Sequence, residues 1–207
     1  WIVRLAARGL DIPVVAFYHS NFPRVFSPWP ERAPWWKRKM HNLAWRYARR
    51  IDRHFAHTIV CSRFVMDDLH RAGIDRVTLI PLGVDLVRYH PRRRAKREEV
   101  RARYGLPAGP VAGFVGRFSP EKELDVLVAA WPEVYRRTGA VLVLVGDGPS
   151  RRLLAERSTG APWIRFIPYE RDREWLADLL ASWDLFVAPS SNETFGLAPL
   201  EGLKGAM

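Results

Sequence analysis

The sequence has a single cysteine among its 207 residues, and none of its apolar runs is long enough to cross a membrane. One thiol cannot form an internal disulfide or supply a zinc site built from several cysteines. Domains stabilised by disulfides or by such zinc sites are therefore excluded. Cys61 lies in the strand-like stretch HTIVCSRF, where a buried thiol is more common than a reactive one. A membrane-spanning helix needs about 18 consecutive apolar residues. The sequence therefore predicts no such helix and a reducing, cytoplasmic location.

Acidic residues are scarce in the first half of the chain. Residues 1–105 hold 22 Lys and Arg against 9 Asp and Glu, a net charge of +13, whereas residues 106–207 hold 11 against 13, a net charge of −2. The excess positive charge therefore lies entirely in the first half, which indicates two units with different partners. Hydrophobic residues make up 48% of the chain, which is enough for a packed core.

Both ends of the sequence lie inside helical patterns. The first residues, WIVRLAARGL, do not begin with Met and lack the regions of a signal peptide. The last residues, EGLKGAM, stop within another helical pattern. We therefore expect the chain to be an internal fragment of a longer protein or a truncated gene product.

Strands and helices alternate strictly in the second half. The apolar stretches VAGFV, VLVLVG, WIRFI and LFVAP have the length of strands, and they lead into the loops GRFSPEK, GDGP, PYERDRE and SSNETFG. Helices are predicted at 123–137, 150–157 and 172–182 and from 197 onward, and Pro132 is expected to kink or shorten the first. Apolar strands between helices predict a parallel sheet covered on both faces. Ligands of such sheets bind beyond the carboxyl ends of the strands, where these loops lie.

The first half has a similar but less regular pattern. PVVAFY, HTIVCS and VTLIPLGVD are predicted strands, and Ser62 is expected to cap a helix that ends near Ala72 and Gly73. The charged stretch PRRRAKREEVRARYG is predicted as a connector or a short helix, and the domain boundary is placed there. The predicted domains are therefore 1–90 and 107–207, with the connector at 91–106.

Two cations follow the first strand of the second half. Arg117 and Lys122 lie five residues apart after Gly116. A planar guanidinium and a compact ammonium suit the oxygens of a diphosphate, although two solvated surface cations are an equally good interpretation. Gly146 and Gly148, in GDGP, allow either a close approach to a ligand or a plain tight turn. The spacing does not match a dinucleotide-binding fingerprint.

Two carboxylates flank the start of the last helix. Glu193 precedes it and Glu201 lies one turn into it, and the amides of three residues are free at its first turn. These residues are Phe195, Gly196 and Leu197. Carboxylates accept hydrogen bonds from hydroxyl groups, so the pair suits a ligand with a sugar at one acid and a ribose at the other. The alternative is a loop charge and a helix-surface charge.

A basic, aromatic segment spans residues 29–53. A basic, aromatic helix is predicted from Trp35 to about Phe55, and it overlaps most of this segment. Three interpretations are open. The helix could bind an anionic membrane surface or, as a weaker alternative, single-stranded nucleic acid. It could also be a core-packed helix with a solvated basic face and no such partner.

The order and spacing of these motifs resemble those of a known family. GRFSPEKELDVLVAAW, LVGDGPSRRLLAE, IRFIPYERDRE and SWDLFVAPSSNETFGLAPLEG are similar to segments of the retaining, glycogen-synthase-like glycosyltransferases of family four. IPLGVDLVRYHP and VVAFYHSNFP resemble the crossover and the His-bearing strand end of that family's first domain. The resemblance covers nearly all of residues 10–203. It implies an α/β fold of two Rossmann-like domains, the GT-B architecture, with both domains incomplete in this chain.

The resemblance also implies roles for matching residues. Arg117 and Lys122, with Gly116, would bind the donor's diphosphate and stabilise the leaving group. Glu193 would contact the donor sugar with help from the Phe195, Gly196 and Leu197 amides, Glu201 would bind the ribose, and His19 would lie over the donor sugar. The implied reaction transfers a hexosyl group, such as mannosyl, with retention, from a nucleotide-diphosphate sugar to a glycan or lipid-linked acceptor. It implies no metal and no cofactor beyond that co-substrate, and a location at the inner face of the membrane if the basic segment binds lipid.

The sequence also departs from the family pattern. A Gly-rich turn that approaches the diphosphate in the family is absent, and Glu123 occupies a position where Gly is common. Two other functions stay open at this point. One is a hydrolase in which Glu193 and Glu201 act as the paired carboxylates. The other is a non-catalytic basic module that binds membranes or nucleic acid.

Overall fold

The computed structural model describes residues 12–19, 21, 23–24, 34–169, 171–190, 193 and 195–206. Its contacts divide the chain into two compact units, and the break lies between Leu82 and Gly83. Glu193 and Phe195 group with the first unit, and the residues from Gly196 onward group with the second.

The first unit has a three-stranded parallel sheet. Among its described residues the elements are β1 (Val15–Tyr18), α1 (Trp35–Asp52), β2 (His57–Val60), α2 (Arg63–Arg71) and β3 (Val77–Leu79), and the strand order is β1-β2-β3. The Ser62 hydroxyl accepts a hydrogen bond from the amide of Val65, as the sequence predicted for the cap of α2. Cys61 is buried and unpaired, which confirms the structural interpretation of this thiol.

The second unit has a four-stranded parallel sheet. Its described elements are a 3₁₀ helix (Pro91–Lys96), α3 (Arg97–Arg103), β4 (Val111–Val115), a 3₁₀ turn (Pro120–Lys122), α4 (Leu124–Thr138), β5 (Val141–Val145), α5 (Arg151–Arg157), β6 (Ile164–Ile167), α6 (Arg173–Ala181), β7 (Leu185–Phe186) and α7 (Leu197–Ala206). The strand order is β6-β5-β4-β7, and every pair is parallel.

Both faces of this second sheet are covered. One face packs α3 and α6 against the alternate strand residues Val143 and Val145, and the other packs α4 and α5 against Leu142 and Leu144. Because β4 and β5 are buried along their whole length, their sequences are continuous apolar runs. The predicted fold class is confirmed.

The segment predicted as a connector is built into the second unit. It forms the Pro91–Lys96 3₁₀ helix and α3, and its cations pair with acids more than 80 residues away. Arg93 and Lys96 contact Asp178 of α6 at 2.6 and 3.2 Å, and Arg97 contacts Asp184 at 2.7 Å. The break between the units therefore lies before this segment, and much of the positive charge of the first half neutralises acids of the second.

Two element predictions differ from the structure. Pro132 was expected to kink or shorten its helix, and the shortening is not seen, since α4 continues to Thr138, past the predicted end. Val128 and Trp131 are buried on the same helix, and this packing outweighs the loss of one backbone hydrogen bond at proline. The last strand is shorter than the stretch LFVAP, because ladder pairing covers only Leu185 and Phe186.

Candidate functional site

The strand order of the second sheet reverses at β4, which has β5 on one side and β7 on the other. The chain runs outward from β4 to β5 and β6 and then returns to place β7 on the other side of β4. The carboxyl ends of these two neighbouring strands diverge into different loops, and such a switch point is where open α/β sheets bind ligands. The Ser190 hydroxyl, after β7, donates to the backbone carbonyl of Glu121, after β4, at 2.8 Å. The loops after β4 and β7 therefore meet at this point.

The loop after β4 carries the two predicted phosphate-binding cations. Gly116 follows the strand, Arg117 is exposed, and Lys122 is half-buried at the end of the Pro120–Lys122 turn. Phe118 lies between them and is fully buried, which anchors the loop to the core. The loop thus presents a guanidinium and an ammonium on a fixed backbone, an arrangement suited to an anion.

Glu121 is a residue of this loop that the sequence analysis missed. Its carboxylate accepts a hydrogen bond from the Ser119 hydroxyl at 2.6 Å, and this bond together with Lys122 and Arg117 lowers its pKa. Both cations are therefore close enough to act on one carboxylate. In the sequence, only its position two residues after Ser119 indicates this hydrogen bond.

The GDGP turn after β5 packs against the loop after β4. A Cβ atom on Gly146 would lie 2.0 Å from the carbonyl oxygen of Gly116, and one on Gly148 would lie 2.4 Å from that of Phe118. The Phe118 amide donates to the carbonyl of Asp147 at 2.8 Å. These glycines are required by contact between two backbones, which supports the tight-turn interpretation.

The last helix, α7, begins as the sequence predicted. Gly196 has a φ of +79°, which favours glycine, and its carbonyl accepts from the amide of Leu200. Pro199 lies in the first turn, where a missing amide hydrogen is tolerated. Gly202 packs on the Phe186 ring, so the helix lies directly against β7.

Glu201 is partly buried on α7 rather than free on its surface. Its Oε1 atom lies 3.9 Å from Nη1 of Arg173 on α6, and 18% of its side chain is exposed. Burial raises its pKa, while Tyr89, Arg173 and Arg88 act in the opposite direction. A carboxylate in this setting has one oxygen near a cation and keeps capacity to accept hydrogen bonds from a ligand.

In the first unit, the His-bearing segment is fixed to α2. His19 is exposed just after β1, and its ring stacks on Phe17 with centroids 5.8 Å apart. Asn21 and Arg24 both donate to the Asp68 carboxylate, at 2.7 and 2.5 Å. Burial alone would raise the pKa of Asp68, but these hydrogen bonds lower it. The sequence analysis missed Asp68 because its partners are more than 40 residues away.

Helix α1 presents an apolar stripe beside a basic face. Trp36, Met40, Leu43 and Tyr47, spaced at helical intervals, are at least 40% exposed. A groove of about 350 Å³ beside them is lined by four arginines: Arg46, Arg49, Arg50 and Arg53. A second cavity, of about 290 Å³, is almost entirely apolar and lies between α1 and the Ala16–Tyr18 side of β1. The outer face of α1 thus combines positive charge with exposed aromatic rings.

Within the residues that the structure describes, no three His, Cys, Asp or Glu side chains gather closely enough to hold a metal ion. None of the helices in the same residues is both long and apolar enough to cross a membrane.

The structure thus brings the predicted site residues together in three places. Gly116, Arg117 and Lys122 share the loop after β4, and Gly196, Leu197 and Glu201 share the start of α7, both in the second unit. His19 lies in the first unit, with which Glu193 and Phe195 are grouped.

Family models match both parts of the chain. Residues 1–88 match Glycosyltransferase Family 4, and residues 109–205 match Glycosyl transferases group 1. A GDP-mannose-dependent alpha-(1-6)-phosphatidylinositol dimannoside mannosyltransferase of Mycobacterium tuberculosis is 40% identical over 148 residues, which cover 70% of this chain and 38% of that protein. A GDP-mannose-dependent alpha-mannosyltransferase of the same species is 36% identical over 98% of this chain and 49% of its own length. The chain therefore spans less than half of either relative.

The fold is similar to that of solved glycosyltransferase structures. Anabaena HepE, crystallised with UDP and glucose, aligns over 99% of this chain and 54% of its own, with a TM-score of 0.76 and 21% identity. The likeness at this identity is one of fold, and it supports the predicted GT-B architecture. With two family models that follow one another along nearly the whole sequence, the chain belongs to the group 1 glycosyltransferases of family 4.

Proposed function

We propose that this chain carries the donor-binding part of a retaining glycosyltransferase that moves a mannosyl group from a nucleotide-diphosphate sugar, GDP-mannose by preference, to a lipid-linked or glycan acceptor. The 36% identity to a GDP-mannose-dependent alpha-mannosyltransferase along 98% of the chain is the observation that carries the proposal. The arrangement of the second unit supports it, because a cationic loop and an acid-bearing helix flank one switch point of the sheet.

The chemistry follows from the charges. Departure of a nucleoside diphosphate develops negative charge on its phosphates, and preorganised cations stabilise that charge in the transition state. Arg117 and Lys122 supply the two cations, and Glu201 accepts hydrogen bonds from the ribose. Glu193 and His19 are proposed to contact the donor sugar. In this proposal the two cations stabilise the departing diphosphate, and no metal ion or other cofactor is required.

The acceptor side is proposed to use the outer face of α1. Exposed Trp36 and Tyr47 beside the groove of Arg46, Arg50 and Arg53 suit the interface of an anionic membrane, where a lipid-linked acceptor would reside. The protein would then act peripherally on the cytoplasmic leaflet. Binding of single-stranded nucleic acid by the same face is the weaker alternative.

The donor test uses the purified protein and a panel of GDP-mannose, UDP-glucose and ADP-glucose. Calorimetry should give a dissociation constant for GDP-mannose at least tenfold below the other two. Arg117→Ala and Lys122→Ala should each weaken that binding, whereas Arg152→Ala, at an exposed position on α5, should not. Equal binding of all three donors would contradict the mannosyl assignment, and no binding of any donor would contradict the proposal as a whole.

Product analysis separates the transferase from the hydrolase. A transferase should consume GDP-mannose only with an acceptor and give an α-linked product, and EDTA should leave the rate unchanged. Release of free sugar from a glycoside without any nucleotide would instead favour hydrolysis by the paired glutamates.

A further inference from the structure

The chain just after His19 is bound to α2 by a buried carboxylate. Asp68 is 5% exposed and accepts a hydrogen bond from the side-chain amide of Asn21 at 2.7 Å. It also accepts from Nε and Nη2 of Arg24, at 2.5 and 2.9 Å, so the guanidinium binds both carboxylate oxygens. The backbone amide of Arg24 in turn donates to the carbonyl of Asn21 at 3.0 Å. Asn21, Arg24 and Asp68 are here called the clamp, because they fix the chain at two points three residues apart.

Helix α1 holds the same part of the chain from another side. Nδ1 of His41 contacts the carbonyl oxygen of Pro23 at 3.1 Å, and since a carbonyl can only accept, this nitrogen carries the hydrogen. The other ring nitrogen, Nε2, accepts from the indole of Trp45 at 3.0 Å. The chain after His19 is therefore bonded to two helices of the first unit.

The clamp constrains the chain more tightly than apolar packing would. Arg71, one turn further along α2, also contacts Asp68 at 3.0 Å, so the buried charge is well paired. Hydrogen bonds and two-point guanidinium contacts are directional. The clamp therefore allows one arrangement of the chain at Asn21 and Arg24, where an apolar contact would allow several.

His19 lies between β1 and the clamp. It directly follows Tyr18, the last residue of the strand, and its ring stacks on Phe17 with centroids 5.8 Å apart. Asn21 comes two residues later, and two residues span at most about 7 Å of extended chain. Because both neighbours are fixed, the position of the His19 backbone is restricted from both sides.

We propose that Asn21 and Asp68 are positioning residues that hold His19 where its imidazole can contact the donor sugar. Both side chains are buried, so they act through His19 and do not touch the donor themselves. This inference rests on the proposed function, in which His19 contacts the donor sugar.

The first test observes His19 by NMR in the intact protein labelled with ¹³C-histidine. Its ring signal is identified by its loss in His19→Ala. The stacked Phe17 ring affects the chemical shift of this signal, so a movement of the imidazole changes the shift. Asn21→Ala and Asp68→Asn should both shift and broaden the signal. Asn21→Ala leaves Asp68 paired with Arg24, so it should stay folded even if Asp68→Asn does not.

Two control variants lie on the same helix. Asp67→Asn neutralises the exposed acid next to Asp68, and Arg71→Gln removes a cation that contacts Asp68 from within α2. Neither residue contacts the chain at Asn21 or Arg24 among the hydrogen bonds and ion pairs described above. Both controls should therefore leave the His19 signal where it is in the wild type.

The second test measures mannosyl transfer from GDP-mannose in a double-mutant cycle. Asn21→Ala should lower kcat about tenfold or more, because the imidazole is misplaced. KM for GDP-mannose should change less than about twofold, since the proposed diphosphate contacts of the second unit remain. His19→Ala should lower kcat further. The combined variant should be no slower than His19→Ala alone, because Asn21 acts only through His19.

The outcomes separate the inference from the function on which it rests. An unchanged His19 signal or an unchanged kcat in Asn21→Ala would overturn the inference and leave the proposed function standing. So would a combined variant in which the two losses multiply, or a His19 signal that moves equally in both controls. A His19→Ala variant as active as the wild type would overturn the inference together with the role proposed for His19. A wild-type protein that does not consume GDP-mannose would overturn the proposed function as well.

Discussion

The guanidinium of Arg101 and the carboxylate of Asp184 meet at 2.8 Å, and they join the start of the second unit to the strand that ends its sheet. The same oxygen of Asp184 accepts a hydrogen bond from the amide of Val111, at the start of β4. Arg101 is buried and also donates to the carbonyl of Ser182. Asp184 therefore contacts two parts of the chain, at Arg101 and at Val111, that each lie more than 70 residues before it in the sequence.

Asp184→Asn should destabilise the second unit by about 2 kcal/mol at pH 7. Burial alone would raise the pKa of Asp184, but hydrogen bonds from Arg97, Val111 and Arg101 lower it to about 2. The folded state therefore gains stability above the unfolded pKa of about 3.9 and loses it as the pH falls toward 2. Chemical denaturation between pH 2 and 7 should show this loss in the wild type and a flatter profile in Asp184→Asn. Asp125→Asn, in an exposed pair with Arg157, should change stability by less than about 0.5 kcal/mol.

Glu123 is held in a left-handed conformation just before α4. Its φ is +51°, a region that costs an L residue about 1 kcal/mol or more relative to glycine. Glu123→Gly should therefore be more stable than Glu123→Ala by about 1 kcal/mol, as measured by urea unfolding. Both variants remove the same side chain, so their difference isolates the backbone. Equal stability of the two would contradict the strain.

Gly146→Ala should destabilise the protein by about 3–5 kcal/mol, because both backbone strain and a clash with the Gly116 carbonyl oppose it. Gly139→Ala is the matched control. Gly139 also has a positive φ, of +70°, but a Cβ atom there would meet open space. It should cost about 1 kcal/mol, and thermal unfolding of both variants would separate the two contributions.

Lys37→Glu/Arg38→Glu should weaken flotation with liposomes that contain anionic lipid, because it reverses charge on the exposed face of α1. Wild-type flotation should increase with the anionic fraction and fall with salt. Arg152→Glu/Arg157→Glu changes the net charge equally on α5 and should float as the wild type does. Flotation that ignores lipid charge would contradict the membrane role of α1.

The sequence predicted the second sheet well, because its strands are buried on both faces and are therefore continuous apolar runs. It also predicted the cap at Ser62 and the start of α7 near Gly196, since both depend on local residues. It did not reveal that the segment 91–106 packs into the second unit, because the partners of Arg93 and Arg97 lie on α6 and beyond it. Charge counts along a sequence cannot reveal such distant pairs.

The same limit applies to the site. Motif spacing indicated Arg117, Lys122 and Glu201 as candidate ligand contacts, whereas Glu121 and Asp68 gave no signal. Asp68 is held by Asn21 and Arg24, which lie more than 40 residues before it, and only the fold brings these three side chains together. Contacts between side chains that are distant in the sequence are therefore visible only in the structure.

The segment from Gly83 to Arg103, here called the arm, determines where hybrids between related enzymes can be joined. Exchanging the following residues between relatives at residue 106, the end of the predicted connector, would leave the acids at Asp178 and Asp184 facing a foreign arm. A crossover placed before Gly83 would transfer the arm together with the acids that it neutralises. Chimeras made at these two junctions should therefore differ in yield of folded protein, and the upstream junction should give more.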